Sequence, residues 1–314
     1  NARRDELLGQ LAELQREKAV FLNKEETPPP VRLPTVTKQS SPEAKIALFR
    51  SLFRGREDVY ARRFESRRTG KTGYQPVCRN EWVSGICQKP RARCDDCRHR
   101  DFLPITDEVV RNHLLGVDPQ DRSRRDFTMG LYPMLLDETC WFLAVDLDKA
   151  SWQEDARAFW ETCKLSDVPV ALERSRSGNG GHFWFFFSEP IPAALARRMG
   201  AFLLTQTMER RPEIGLDSYD RFFPSQDTMP KGGFGNLIAL PLQHSPRKRG
   251  NSVFLGSGAG ENDDGNNRQN VALGDSSLYS NTTGYGNTAN GCQALLNNTT
   301  GTGNTAKGNR AIFS

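Results

Sequence analysis

The sequence predicts an α+β fold: a central body over residues 41–255 that carries a small four-cysteine module, followed by a Gly/Asn-rich repeat tail over 256–314. Three observations predict it. Two apolar runs, 141–145 and 183–187, flank a helical stretch over 152–164, a strand, helix, strand order. Four of the seven cysteines fall between Cys78 and Cys97. Beyond Phe254 the composition changes, and of the last 59 residues 11 are Gly and 11 are Asn.

Residues 1–25 open the chain with a helix, in which Leu7, Leu11, Leu14 and Phe21 recur at helical steps among charged residues. A linker follows over 26–40, where Pro28, Pro29, Pro30 and Pro34 favour an extended path. The body then starts with a helix capped by Ser40 or Ser41, with Pro42 in its first turn, Ile46, Phe49, Leu52 and Phe53 on one face, and Gly55 closing it. After the strands at 141–145 and 183–187 come a helix over 191–209 and an apolar run over 236–242. In the tail, Asn270, Asn287 and Asn304 open similar blocks offset by 17 residues, and Leu278, Leu295 and Ile312 keep the same offset. One apolar anchor per repeat, with turn residues between, is how a β-solenoid is written; a disordered tail is the competing reading. The tail carries no chemistry-bearing motif.

The 314 residues hold 43 Lys plus Arg against 38 Asp plus Glu, a net +5 that suits contact with a polyanion. No apolar run approaches the ~20 residues that cross a bilayer, and no signal-peptide core follows the amino terminus, so a cytoplasmic protein without membrane contact is expected. The cysteine spacing without a secretory signal argues against a disulfide framework.

Cys78, Cys87, Cys94 and Cys97 read C-x8-C-x6-C-x2-C inside a module spanning 74–104. Four thiolates can close a tetrahedral Zn²⁺ shell, and the last pair has knuckle spacing, so a structural zinc is expected. Cys140, Cys163 and Cys292 are isolated and read as packing residues. Thr69-Gly70-Lys71-Thr72 imitates a phosphate loop, but Glu65 stands where the motif needs its first Gly.

Asp146 and Asp148 project from one face of a strand end, because strand side chains alternate. Two carboxylates so close favour a cation between them, and Mg²⁺ or Mn²⁺ there could align a 3′ hydroxyl with a nucleoside triphosphate. A solvated strand end would carry the same pair. Downstream, Ser177, Gly178, Asn179 and Gly180 form a turn whose backbone can approach phosphate oxygens, with Arg174 and Arg176 beside it and His182 leaving it. Asp217, Asp220 and Asp227 are each available as a third acid, Lys231 opens a Gly-rich turn suited to nucleic acid, and Arg247, Lys248 and Arg249 form a basic cluster.

A D-x-D, a small-residue turn ending in His, and a later Asp before a strand ending in Leu240-Pro241 resemble, in that order, the three motifs of the archaeo-eukaryotic primase superfamily. More closely, residues 41–254 resemble the primase domain of TOTE conflict systems, through LFRGREDVYARR, GYQPVCRNEW, the four-cysteine segment, GLYPMLLDETCWFLAVDLD, ALERSRSGNGGHFWFFF and SYDRFFPSQDTMPKGGFGNLIALPLQ. The resemblance implies a primase-type, RRM-like core. It implies a primase-polymerase that uses nucleotide triphosphates, Mg²⁺ or Mn²⁺ and a single-stranded DNA or RNA template. Helicase and nuclease modules of the same system are its implied partners. By the same resemblance Asp146 and Asp148 match the first metal-binding motif, His182 the nucleotide-binding one, and Asp220, with Asp217 second, the third. Two other readings use the same residues: a catalytically idle nucleic-acid-binding zinc module and a metal-dependent nuclease.

Overall fold

A computed structural model describes residues 39–66, 69–118, 126–149, 151–212, 216–255, 271–273, 276–290, 293–308 and 310–312, with positions 3 and 36. The expected helix over 5–24, the prolines of the linker and Cys292 lie outside the described residues. Two compact units divide the chain, 1–45 and 46–314. In the first, Ser41 supplies the expected cap: its Oγ accepts the Ala44 N–H at 3.1 Å.

The elements in chain order are α1 (Pro42–Leu52), β1 (Ala61–Glu65), β2 (Thr72–Pro76), α2 (Asp107–Leu115), β3 (Met129–Leu131), β4 (Thr139–Asp148), α3 (Trp152–Leu165), β5 (Ala171–Arg174) and β6 (Gly180–Pro192). Then follow α4 (Ala193–Arg210), β7 (Tyr219–Phe223), β8 (Ile238–Ala239), α5 (His244–Lys248), β9 (Val253–Leu255) and the short strands β10 (Val271–Leu273), β11 (Thr288–Asn290) and β12 (Thr305–Lys307).

The main sheet has the order β7-β4-β6-β5-β9, with every neighbouring pair antiparallel. Its first four strands come from a β4-α3-β5-β6-α4-β7 succession, so numbering them one to four gives the spatial order 4-1-3-2 of a split βαβ, RRM-like unit. This meets the expected α+β, primase-type core. A second antiparallel sheet, β2-β1-β3-β8, lies in the same body.

Strand alternation sorts the main sheet's side chains into two cores. Leu143, Val145, Leu147, Phe183 and Phe185 face α3 and α4, packing with Ala156, Phe159, Cys163, Ala196 and Leu203. Phe142, Ala144, Trp184 and Phe223 face the other way, against Phe49 of α1 and Phe53 just after it, Val110 of α2, and Met129, Leu131 and Ile238 of the second sheet. Phe159 meets Phe183 edge-on with centroids 4.9 Å apart, and Phe53 meets Trp184 at 5.0 Å. Cys140 and Cys163 are buried packing residues, as expected, and burial pushes both thiols up to about 12.

In the tail, β10, β11 and β12 pair in parallel with a constant 17-residue offset: Thr288 opposes Val271 and Thr305, and Ala289 opposes Ala272 and Ala306. Leu278, Leu295, Ala289 and Ala306 form its buried interior. Among the described residues no helix is long and apolar enough to cross a membrane.

Candidate active site

At one end of the main sheet the apolar face gives way to charge. The row Phe223–Ala144–Trp184–Ala171 runs across β7, β4, β6 and β5 in register, and it belongs to the core. Two residues further along, the corresponding row is Arg221–Asp146–His182–Glu173. It alternates positive and negative across four strands on the same face. Asp148 lies beyond Asp146 on that face, opposite Gly180.

The row is bonded as well as aligned. His182 Nδ1 is 2.9 Å from Glu173 Oε2, and its Nε2 is 3.4 Å from Asp146 Oδ1. Glu173 is 1% exposed and also accepts the indole N–H of Trp184 at 3.0 Å and the Ser252 hydroxyl at 3.3 Å. Burial alone would lower the imidazole's pKa. The Glu173 charge and the hydrogen bonds to Asp146 and Glu173 outweigh it and raise the ring to about 10, so His182 is an imidazolium at neutral pH.

The turn between β5 and β6 is shaped by its glycines. Gly178 has φ +84° and sits against Asn251, whose amide donates to Arg176 O at 3.3 Å. At Gly180 a Cβ would stand 2.5 Å from Leu147 O, so a side chain there would force β6 away from the strand that carries Asp148. Ser177 Oγ accepts the Asn179 N–H at 3.1 Å and lies 3.1 Å from Ser175 Oγ.

β7 is positioned from α3. Asp155, 3% exposed, accepts the Ser218 N–H at 3.1 Å and its hydroxyl at 2.5 Å, while Ser218 O accepts the Asp148 N–H at 2.8 Å. The register then slips between Asp146 and Leu147, which makes Asp220 the extra residue of a bulge. Bulges re-aim side chains. Here the bulge leaves Asp220 adjoining Arg221, whose Nε donates to Asp220 Oδ2 at 2.6 Å. Asp217 contributes its carbonyl to Lys149 Nζ at 2.7 Å, and its side chain is exposed.

Other sequence candidates have separate partners. Arg176 is tied to Asp126, Gln243 and Thr128, joining the turn to the β3 region. Arg174 is on the sheet face opposite to Glu173, by alternation, with Nε donating to Gly178 O at 3.2 Å; burial lowers its pKa. Asp227 pairs with Arg197 on α4. Lys231 is exposed on a loop whose Gly232 carbonyl accepts Arg100 of the cysteine segment at 3.5 Å. Arg247 is held by the Leu242 and Leu114 carbonyls, beside exposed Lys248 and Arg249.

Cys78, Cys87, Cys94, Cys97 and His99 line one solvent-open pocket of about 380 Å³. The Asp101 N–H donates to Cys78 Sγ at 3.4 Å. Burial raises the Cys94 thiol, opposed by Lys89, which bonds to it and to Glu81 at 2.9 Å. Among the described residues no group of three or more Cys, His, Asp or Glu side chains is arranged to hold a metal ion.

The reading of the sequence gave no role to Glu173, Arg221 or Asp155. A hairpin folded about Ser177 and Gly178 sets Glu173 opposite His182, so Glu173 could have been found from turn symmetry; Arg221 and Asp155 depend on contacts between distant segments.

A family profile described as the TOTE conflict system archaeo-eukaryotic primase domain matches residues 44–269, well over half of the chain. No curated protein matches the chain. The family match spans both antiparallel sheets and ends immediately before Asn270, where the first repeat block begins. The chain belongs to the TOTE conflict system archaeo-eukaryotic primase domain family.

Proposed function

We propose that the protein is a metal-dependent primase-polymerase that extends strands on a single-stranded template from nucleotide triphosphates. The observation that carries this reading is the row Arg221–Asp146–His182–Glu173, set beside Asp148 and the Gly-rich turn. Asp146 and Asp148 share a face at the strand end, and Asp220 on the neighbouring bulge is the third acid of this reading; hard carboxylate oxygens of this kind suit Mg²⁺ or Mn²⁺. When bound, such an ion supplies Lewis acidity and alignment for attack of a 3′ hydroxyl on a triphosphate.

The chain's own groups do the rest. Glu173 orients His182, whose imidazolium puts a positive charge beside Asp146 at the edge of the space where the triphosphate would lie. The exposed Ser177 hydroxyl and Asn179 side-chain amide offer donors to its oxygens, the Gly178 and Asn179 N–H groups close the turn on Ser175 O and Ser177 Oγ, and Arg176 fixes its base. Lys231, Lys248 and Arg249 are exposed cations for the template backbone. Arg174 supports the turn from behind through Gly178. Asp220 is preferred to Asp217 as the third acid because it adjoins the charged row.

Primer synthesis on single-stranded DNA with Mg²⁺ or Mn²⁺ tests the reading. Replacing Asp146 and Asp148 together by Asn lowers the rate by about a thousandfold or more, ~4 kcal/mol of transition-state stabilisation. A double variant with the wild-type rate refutes the site.

The four cysteines fit a structural zinc. They are soft donors around one pocket, with an N–H and a lysine aimed at their sulfurs as outer support. Elemental analysis is expected to give about one zinc per chain, and chelation to lower the melting temperature. Metal-free protein of unchanged stability would refute it.

A further inference from the structure

Asp146 lies between two cations that are held very differently. On one side is His182, locked by a carboxylate that is itself buried. On the other is Arg221, directly opposite Asp146 across the β4–β7 ladder, where opposed side chains share a face with Cβ atoms about 5 Å apart. Arg221 is joined to Asp220 through Nε at 2.6 Å, and its side chain is 55% exposed. Its guanidinium is thus tied to the acid of the bulge, on a residue that opposes the acid of the strand across the ladder. Asp220 foremost, then Asp146 and Asp148, raise its pKa, which places all three carboxylates within its electrostatic reach.

A cation so placed stands where a divalent ion would be drawn, and its long, exposed stem lets it leave. We propose that Arg221 is a displaceable counter-ion of the Asp146, Asp148 and Asp220 cluster: it balances the acids before a divalent cation binds, competes with that cation, and swings outward when it arrives. This rests on the reading of those three acids as the metal site.

The test is a Mn²⁺ titration without nucleotide, with free Mn²⁺ followed by electron paramagnetic resonance and Asp148→Asn giving the background from other sites. Removing the competing charge with Arg221→Gln is expected to tighten Mn²⁺ binding about fivefold. Arg221→Lys, which keeps the charge, is expected to stay within about twofold of wild type. Arg221→Ala replaces the glutamine variant if a thermal melt shows that variant unfolded. Unchanged or weaker binding in the neutral variant overturns the inference and makes Arg221 a tether for Asp220. Equal Mn²⁺ uptake by wild type and Asp148→Asn refutes the metal reading itself, and the inference with it.

Discussion

His113 and His182 are both largely withdrawn from water, yet they end in opposite charge states. His113, wholly buried on α2, has Nε2 donating to Pro241 O at 2.8 Å and Nδ1 accepting the Met129 N–H at 3.1 Å, with Phe49 packed nearby. Burial dominates, and the ring's pKa falls to about 4. His182 meets the same penalty, but the Glu173 and Asp146 carboxylates reverse it and bring the ring to about 10. The contrast separates two parts of the body. Between α2 and the second sheet a histidine is a neutral connector spending both nitrogens on backbone. At the open end of the main sheet it is one charge in an alternating row.

The largest effect expected from this contrast is on stability in acid. His113 is neutral in the folded protein down to about pH 4, whereas in the unfolded chain it takes a proton below about pH 6.5. Between those values the unfolded state binds more protons, so stability is full above pH 6.5 and falls as the pH drops toward 4. The loss is ~3 kcal/mol. Urea unfolding of wild type and His113→Gln across that window isolates this contribution, since the variant lacks it; parallel curves would show that His113 is already charged.

A smaller effect is expected at the other histidine. Glu173→Gln keeps the shape of the side chain but removes the charge that holds His182 toward Asp146. Outer-sphere changes of this kind cost about 10- to 100-fold, here read in kcat/KM for nucleotide incorporation. Circular dichroism should match wild type. A variant with the wild-type rate would make Glu173 a core residue with no bearing on the site.

The two regions were not equally legible in the sequence. Asp146 and Asp148 followed from strand alternation alone, and His182 from its place after a glycine turn. The four cysteines are close in sequence, and they do line one pocket. The rest of the row needed the register between strands, which no local pattern carries. β1 and β7 read ARRFE and YDRFF, without the alternation that marks a half-buried strand, so neither is legible from its own residues. The helix expected from 191 begins at Ala193, because Ile191 and Pro192 still pair with Cys140 and Thr139. The apolar run over 236–242 yields the two-residue β8, after which Leu240 N–H reaches Met129 O and Pro241 has no N–H to give.

The repeat tail is the opposite case, and it supplies the smallest expected effect. Its rows join equivalent positions of successive repeats, so the partner of position i is position i+17 and the period in the sequence already states the register. Asn298 Nδ2 donates to Asn281 Oδ1 at 2.9 Å and to Gly301 O at 3.1 Å, while Asn304 N–H donates to Asn287 Oδ1 at 3.0 Å. Asn281 and Asn287 are fully buried, so removing a partner takes a hydrogen bond from a polar group that water does not reach. Asn298→Ala should therefore cost ~1 kcal/mol, read as faster amide exchange within 276–308, with exchange in the main sheet and nucleotide incorporation unchanged. The confinement is the informative part. A row of identical residues stabilises its own stack, whereas the charged row joins four strands around one acid, so slower incorporation by Asn298→Ala would tie the tail to the site and break the distinction drawn between them.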